Sequence, residues 1–266
     1  MPAPKPPATP QSSAVPAPTL PSPTPGSGLQ LQPLFPLAFG QVQLRPDPLD
    51  LALQLRAIGA LREGAASNPN PGCAWTGDLN GVWQLQRHPV FQPLLAELYR
   101  HVWAYLEALG FERSRLSLHL QRCWPVVSDQ GQVVGRHHHP NAHLSAVYYL
   151  NGDGSGRSGR LRLYPRCSPN ELVPGLAVGH NGPLSDISEA RRQWNAPWHD
   201  VAPRAGLLLL FPSILDHAVL ENEEAEDHRI SISADFALSA SPTAGSSAAE
   251  YLAPHPQHWQ EVNPAS

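Results

Sequence analysis

The sequence predicts a mainly β domain with helices packed outside it: two helices come first, about eight strands follow, and a mostly antiparallel sheet closes on itself. Three observations carry this. Apolar residues recur at helical spacing between Asp47 and Gly64 and again between Pro89 and Gly110. After Phe111 the hydrophobic period falls to two and stays there. Gly- and Asn-rich turns separate the later runs. At 266 residues the chain suits one large domain or two small ones.

Residues 1–28 hold ten prolines and one charge. Such a stretch cannot bury enough apolar surface to offset its ordering entropy, so a disordered tail with polyproline II character is expected. Residues 31–44 alternate enough for one or two short strands. Asp47-Pro48 then opens a helix, with Asp as N-cap, Pro in the first turn, Leu49, Leu51, Leu53, Leu55, Ile58 and Leu61 as apolar positions, and Gly64 as its end. In the second helix, from about Pro89 to Leu109, Phe91, Leu94, Leu95, Leu98, Val102, Trp103 and Leu106 form a packing stripe and Gly110 is the C-cap candidate. Strands are expected at 116–124, 146–150, 160–164, 207–211, 217–220 and 229–236, with a loop at 151–156. The segment 165–200 is a long insertion able to cover the barrel mouth, and residues 239–266 read as a mostly flexible tail. The domain is therefore placed at 29–238.

Composition excludes several function classes. Charged residues make up 15% of the chain and the net charge is −4. Neither nucleic acid nor an acidic membrane surface is an expected partner. The longest apolar run, Leu207 to Phe211, is strand-sized, far short of the roughly 18 residues that span a bilayer. The N-terminus has no apolar core after Lys5, so it does not read as a secretory signal. Cys73, Cys123 and Cys167 fit neither a disulfide framework nor a zinc ribbon. Reduced thiols in a cytoplasm are the expectation.

The candidate chemistry begins at Arg136-His-His-His-Pro140. On an extended segment residues i and i+2 share a side, so His137 and His139 converge while His138 faces away. Two imidazoles suit a divalent transition metal once a third ligand comes from elsewhere. His217, at the end of the Gly206-Leu-Leu-Leu-Leu-Phe-Pro212 pattern, is the candidate. Asp216 would point to the opposite face. Against this, 13 histidines make a chance cluster unsurprising. His119, His143, His180 and His228 read as exposed or satisfied. Twelve residues past His217 come Arg229 and Ser231, on one face of the next strand. A guanidinium fork beside a hydroxyl suits a carboxylate. The competing reading pairs Arg229 with Glu221 or Glu223.

His137-x-His139, a distant His217, then Arg229-x-Ser231 resembles the 2-oxoglutarate/Fe(II)-dependent oxygenases, whose pattern is His-x-Asp/Glu, a distant His and Arg-x-Ser. The stretches 137–149 and 211–233 are similar to a bacterial group related to the prolyl hydroxylase branch. The resemblance covers roughly residues 30–238. It implies a double-stranded β-helix (a distorted jelly roll) with flanking α-helices. It also implies Fe(II) held by His137, His139 and His217, with O2 as oxidant. 2-Oxoglutarate would be bound by Arg229, Ser231 and Tyr149, and Tyr148 would face the other side. Trp124 and Arg122 could line the entrance. The implied reaction oxidises an unactivated C–H bond of a small molecule or protein side chain, releasing succinate and CO2. One departure stands out: His139 occupies the position of the usual carboxylate ligand, leaving the metal site one unit more positive. Two alternatives remain open, a three-His iron dioxygenase that does not use 2-oxoglutarate and a non-catalytic metal- or ligand-binding β-barrel module.

Overall fold

A computed structural model of the chain describes residues 33–167, 170, 194, 196–224, 228–242 and 252–261. The Pro-rich stretch 1–28, His180, most of the 165–200 insertion and much of the 239–266 tail lie outside the described residues. One compact unit begins at Ala38 and contains all the elements described below.

Strand β1 (Gly40–Gln43) leads into helix α1 (Pro48–Glu63). Asp47 caps α1 as expected, its carboxylate accepting from the backbone N–H groups of Leu49 and Asp50 at 2.9 and 3.2 Å. The buried face differs from the expected one. Ile58 and Gln54 are buried while Leu49 and Leu53 are exposed. Leucines spaced by two fall on both sides of a helix turning 100° per residue, so only some of them meet the sheet. After β2 (Trp75–Thr76) comes α2 (Gln92–Ala108), entered through a 3₁₀ turn at Pro89–Phe91. Leu94, Leu95, Leu98, Val102 and Leu106 are its buried face. Gly110 at φ 87° closes it, with its N–H on Glu107 O and the Phe111 N–H on Leu106 O, a Schellman ending.

Eight further strands follow: β3 (Leu116–Ser128), β4 (Val134–His137), β5 (Leu144–Tyr149), β6 (Leu161–Leu163), β7 (His199–Val201), β8 (Leu207–Pro212), β9 (His217–Val219) and β10 (Arg229–Ala240). They form a six-stranded sheet in the order β1-β8-β5-β10-β3-β2 and a four-stranded sheet in the order β4-β9-β6-β7, with every ladder antiparallel. This is the two-sheet jelly-roll arrangement that the sequence led us to expect. The short β2, β4 and β7 had no periodic signature of their own, because two to four residues are too few to show alternation.

The larger sheet separates its two faces by parity. Tyr148, Ala146, Leu208, Leu210, Ile232, Ala234, Phe236, Cys123 and Val127 point toward α1 and α2 and form the main core. Val147, Tyr149, Leu209 and Phe211 point the other way and pack with Leu161, Leu163 and Val201 of the smaller sheet. Burial of each leucine, isoleucine, valine or phenylalanine among them stabilises the fold by about 1.5–3 kcal/mol. On β10 the inward positions are Arg229, Ser231, Ser233 and Asp235. A polar row therefore faces the space between the sheets. Residues 252–261 run beside the start of β3, where the Ala240 N–H donates to Ala253 O and the His119 and His255 rings lie 5.2 Å apart.

Candidate active site

Two short strands of the smaller sheet bring the histidines together. His137 ends β4 and pairs in register with His217, the first residue of β9. His139 lies two residues past β4, anchored by its backbone N–H on Ser213 O. The ring centroids stand 5.2 Å (His137–His139), 4.3 Å (His137–His217) and 5.1 Å (His139–His217) apart. One nitrogen from each ring falls within 4.8 Å of the other two, the one such His/Cys/Asp/Glu group among the described residues.

The tautomers are set by the outer nitrogens. Nδ1 of His137 donates to Gly135 O at 2.7 Å, and Nδ1 of His217 donates to Leu215 O at 2.9 Å. Nδ1 of His139 donates to Asp235 Oδ1 at 2.7 Å. With each Nδ1 carrying a proton, each Nε2 keeps its lone pair for a common partner, the way metal-ligating histidines are held. Burial, reinforced by the His137 ring, pushes His217 down to about 3. Burial lowers His137 as well, against the opposing bond to Gly135. Both imidazoles are therefore neutral near pH 7, the state a metal requires.

His138 faces away as anticipated, its Nδ1 3.0 Å from Asp216 Oδ1. Asp216 turns outward to Arg136 and His138 and is not part of the cluster. His119, His143 and His228 are satisfied as expected: His119 on Ser239, His143 as acceptor from the Leu238 N–H, and His228 on Asp129.

Arg229, Ser231 and Tyr149 sit together on the inner face. Ser231 is directly opposite Tyr149 in the β10–β5 ladder, and Arg229 is two residues before it. Arg229 is 1% exposed, and its Nε, NH1 and NH2 have no hydrogen-bond partner among the described residues. The Tyr149 hydroxyl is likewise buried without a partner. Neither Glu221 nor Glu223 takes the guanidinium, so neither of the ion pairs expected for Arg229 forms among the described residues. Burial pulls Arg229 below its usual value and pushes Tyr149 up to about 12. Asn151 fixes the strand start, accepting from the Ile230 N–H and donating to His228 O. A buried guanidinium with five unmet donors is costly on its own and fits an anion.

Trp124 packs with Ala74 and Val126, its ring 5.7 Å from His139 and covered by the Arg122 guanidinium at 4.5 Å. Arg122 is bound to Asp78 and Asp235. Sequence reasoning passed over Asp235, Ser145 and Ser213, which interlink behind His139. The parity of β10 could have found Asp235, since it shares a face with Arg229 and Ser231.

The family model described as "Putative 2OG-Fe(II) oxygenase" matches residues 122–235. That segment is a 2OG-Fe(II) oxygenase domain. It runs from β3 to β10 and contains His137, His139, His217, Tyr149, Arg229 and Ser231. Enzymes of this kind are dioxygenases that use Fe(II), 2-oxoglutarate and O2, and the three-His cluster fits the iron of such an oxygenase.

Among solved structures, the chain is similar to the non-heme alpha-ketoglutarate-dependent epimerase SnoN from nogalamycin biosynthesis (18% identity, 86% of this chain and 91% of that one, TM-score 0.52). It is also similar to the carbocyclase SnoK from the same biosynthesis (14% identity, 82% and 87%, TM-score 0.52). At these identities the likeness speaks for the oxygenase fold alone. No curated protein matches the sequence.

Proposed function

We propose that the chain is an Fe(II)- and 2-oxoglutarate-dependent oxygenase that hydroxylates an unactivated C–H bond of its substrate and releases succinate and CO2. His137, His139 and His217 would hold the iron through Nε2. Arg229, Ser231 and Tyr149 would hold the distal carboxylate of 2-oxoglutarate. The observation that carries this reading is the pair of orphaned groups, the Arg229 guanidinium and the Tyr149 hydroxyl. They lie buried on the inner face of the sheet whose facing partner supplies two of the histidines. A carboxylate bound there would meet the guanidinium fork with two parallel charge-assisted bonds, with the phenol as a further donor.

Bound iron with its cosubstrate supplies the oxidising power that attacks a C–H bond, and the protein's part is placement. The two carbonyl acceptors and Asp235 hold the imidazoles at fixed rotation. Val147, Leu209, Phe211, Leu161 and Leu163 wall the intersheet space with hydrocarbon. Water is thereby excluded and the charge on Arg229 acts at low dielectric. SnoN is described in complex with Fe3+, alpha ketoglutarate and nogalamycin RO, which supports the same cofactor pair here. A cytoplasmic location and a substrate that is neither nucleic acid nor membrane complete the proposal.

The test is succinate formation from 2-oxoglutarate by the purified chain under air. We expect turnover that requires Fe(II) and is abolished in His217→Ala. Iron-dependent O2 uptake with no succinate would indicate a three-His dioxygenase acting directly on its substrate. Metal binding with neither activity would indicate a non-catalytic module.

A further inference from the structure

His139 stands where the oxygenase pattern places a carboxylate, and it is the one histidine of the three bonded to an anion. His137 and His217 give their Nδ1 protons to backbone carbonyls, whereas His139 gives its proton to Asp235. The inference drawn from this rests on the proposed Fe(II) site. We propose that Asp235 is a positioning residue that delivers through His139 the negative charge a carboxylate ligand would otherwise supply.

The geometry is that of a built network. Asp235 lies on β10 directly opposite Ser145 of β5 and Arg122 of β3, and its side chain is 1% exposed. Oδ1 accepts from His139 Nδ1 at 2.7 Å and from Ser145 Oγ at 2.8 Å; Oδ2 accepts from Arg122 Nε at 2.8 Å. The Ser145 and Ser213 hydroxyls are 2.8 Å apart, extending the network to the segment that also anchors the His139 backbone. A carboxylate can only accept here, so it fixes the His139 tautomer and makes Nε2 a stronger donor to a metal.

The charge count favours the same conclusion. Arg122 does not cancel Asp235, because its NH1 is also bound to Asp78 Oδ2 at 2.9 Å. Two carboxylates against one guanidinium leave one net negative charge behind His139. That equals the charge lost by replacing an Asp or Glu ligand with imidazole. Moving the anion to the far side of the imidazole keeps a compensating negative charge beside the site while making all three inner ligands nitrogen.

The experiment is an anaerobic Fe(II) titration of the whole chain and of the Asp235→Asn and Arg122→Ala variants, with the Fe(III)/Fe(II) potential of each loaded form. Asp235→Asn should weaken Fe(II) binding about 10- to 100-fold and shift the potential upward. Arg122→Ala should leave the affinity at or above the parent's and shift the potential downward, because it removes a positive charge and spares the His139 bond. Two results overturn the inference. One is an Asp235→Asn affinity within about threefold of the parent with an unmoved potential. The other is equal weakening in both variants, which marks Asp235 as a structural partner of Arg122. A parent chain that binds no Fe(II) sinks the metal site itself, a result distinct from both. Nitrogen-resolved NMR of the unsubstituted metal-free chain needs no variant. It should show a slowly exchanging proton on His139 Nδ1, and a proton on Nε2 instead would refute the proposal.

Discussion

At the scale of single residues, Arg229 is the group whose placement makes least sense without a ligand. A guanidinium buried without partners costs several kcal/mol, and replacing such a charge by an apolar side chain of similar volume is often stabilising. Arg229→Met should therefore raise the melting temperature of the ligand-free protein by a few degrees, corresponding to about 1–3 kcal/mol. The same change should abolish the stabilisation that 2-oxoglutarate gives the iron-loaded parent. A melting curve with and without 2-oxoglutarate checks both halves, and a destabilised ligand-free variant would show that Arg229 has a structural partner. The outline of this site was legible in the sequence because His137-x-His139, His217 and Arg229-x-Ser231 lie on short extended segments, where spacing by two fixes a shared side. The outward turn of Asp216 followed from the same parity. Asp235, Ser145 and Ser213 were not legible as site residues. Their role depends on three strands, β5, β10 and the end of β8, meeting behind His139, and register across a sheet cannot be read from one strand.

At the scale of elements, caps and one ion pair position the helices over the outer face of the sheet. Asp47→Ala should cost about 1 kcal/mol, read as a lower midpoint in urea with an unchanged slope, since it strips two N-terminal amides of α1 of their acceptor. Asp129, just past β3, holds α1 through Arg62, 2.5 Å away, and also meets His228. The Arg62 bond, aided by His228, keeps its carboxyl below the ordinary 3.8 despite partial burial. Because the folded form is depressed, the stabilisation is full above that value and is lost as the pH falls through the lower, folded one. With both side chains about one-third exposed, the contribution is held to about 1 kcal/mol or less. Asp129→Asn should remove that portion of the acid dependence and leave stability above pH 5 slightly reduced. Helix existence, caps and the long strands were legible; which leucines of α1 face inward was not. Leu49, Leu51, Leu53 and Leu55 satisfy no single helical face, and the sheet's shape decides among them.

At the scale of the whole molecule, the two sheets divide the labour. The outer face of the larger sheet, sealed by α1 and α2, carries the main apolar core, and the intersheet face carries the polar row of β10 opposite the histidines. Ligands bound between the sheets should therefore clamp them together. Saturating Fe(II) with 2-oxoglutarate should stabilise the fold by about 2.7 kcal/mol at a hundredfold excess over the dissociation constant, and a chelator should reverse it. The central claim is that both cofactors share this one space. Its most direct test is anaerobic visible absorption on adding Fe(II) and then 2-oxoglutarate to the metal-free protein and to Arg229→Ala. We predict a charge-transfer band that requires both additions, with the variant binding Fe(II) normally but needing far more 2-oxoglutarate. Iron binding with no such band, or Fe(II) and 2-oxoglutarate affinities falling together in the variant, would contradict the account.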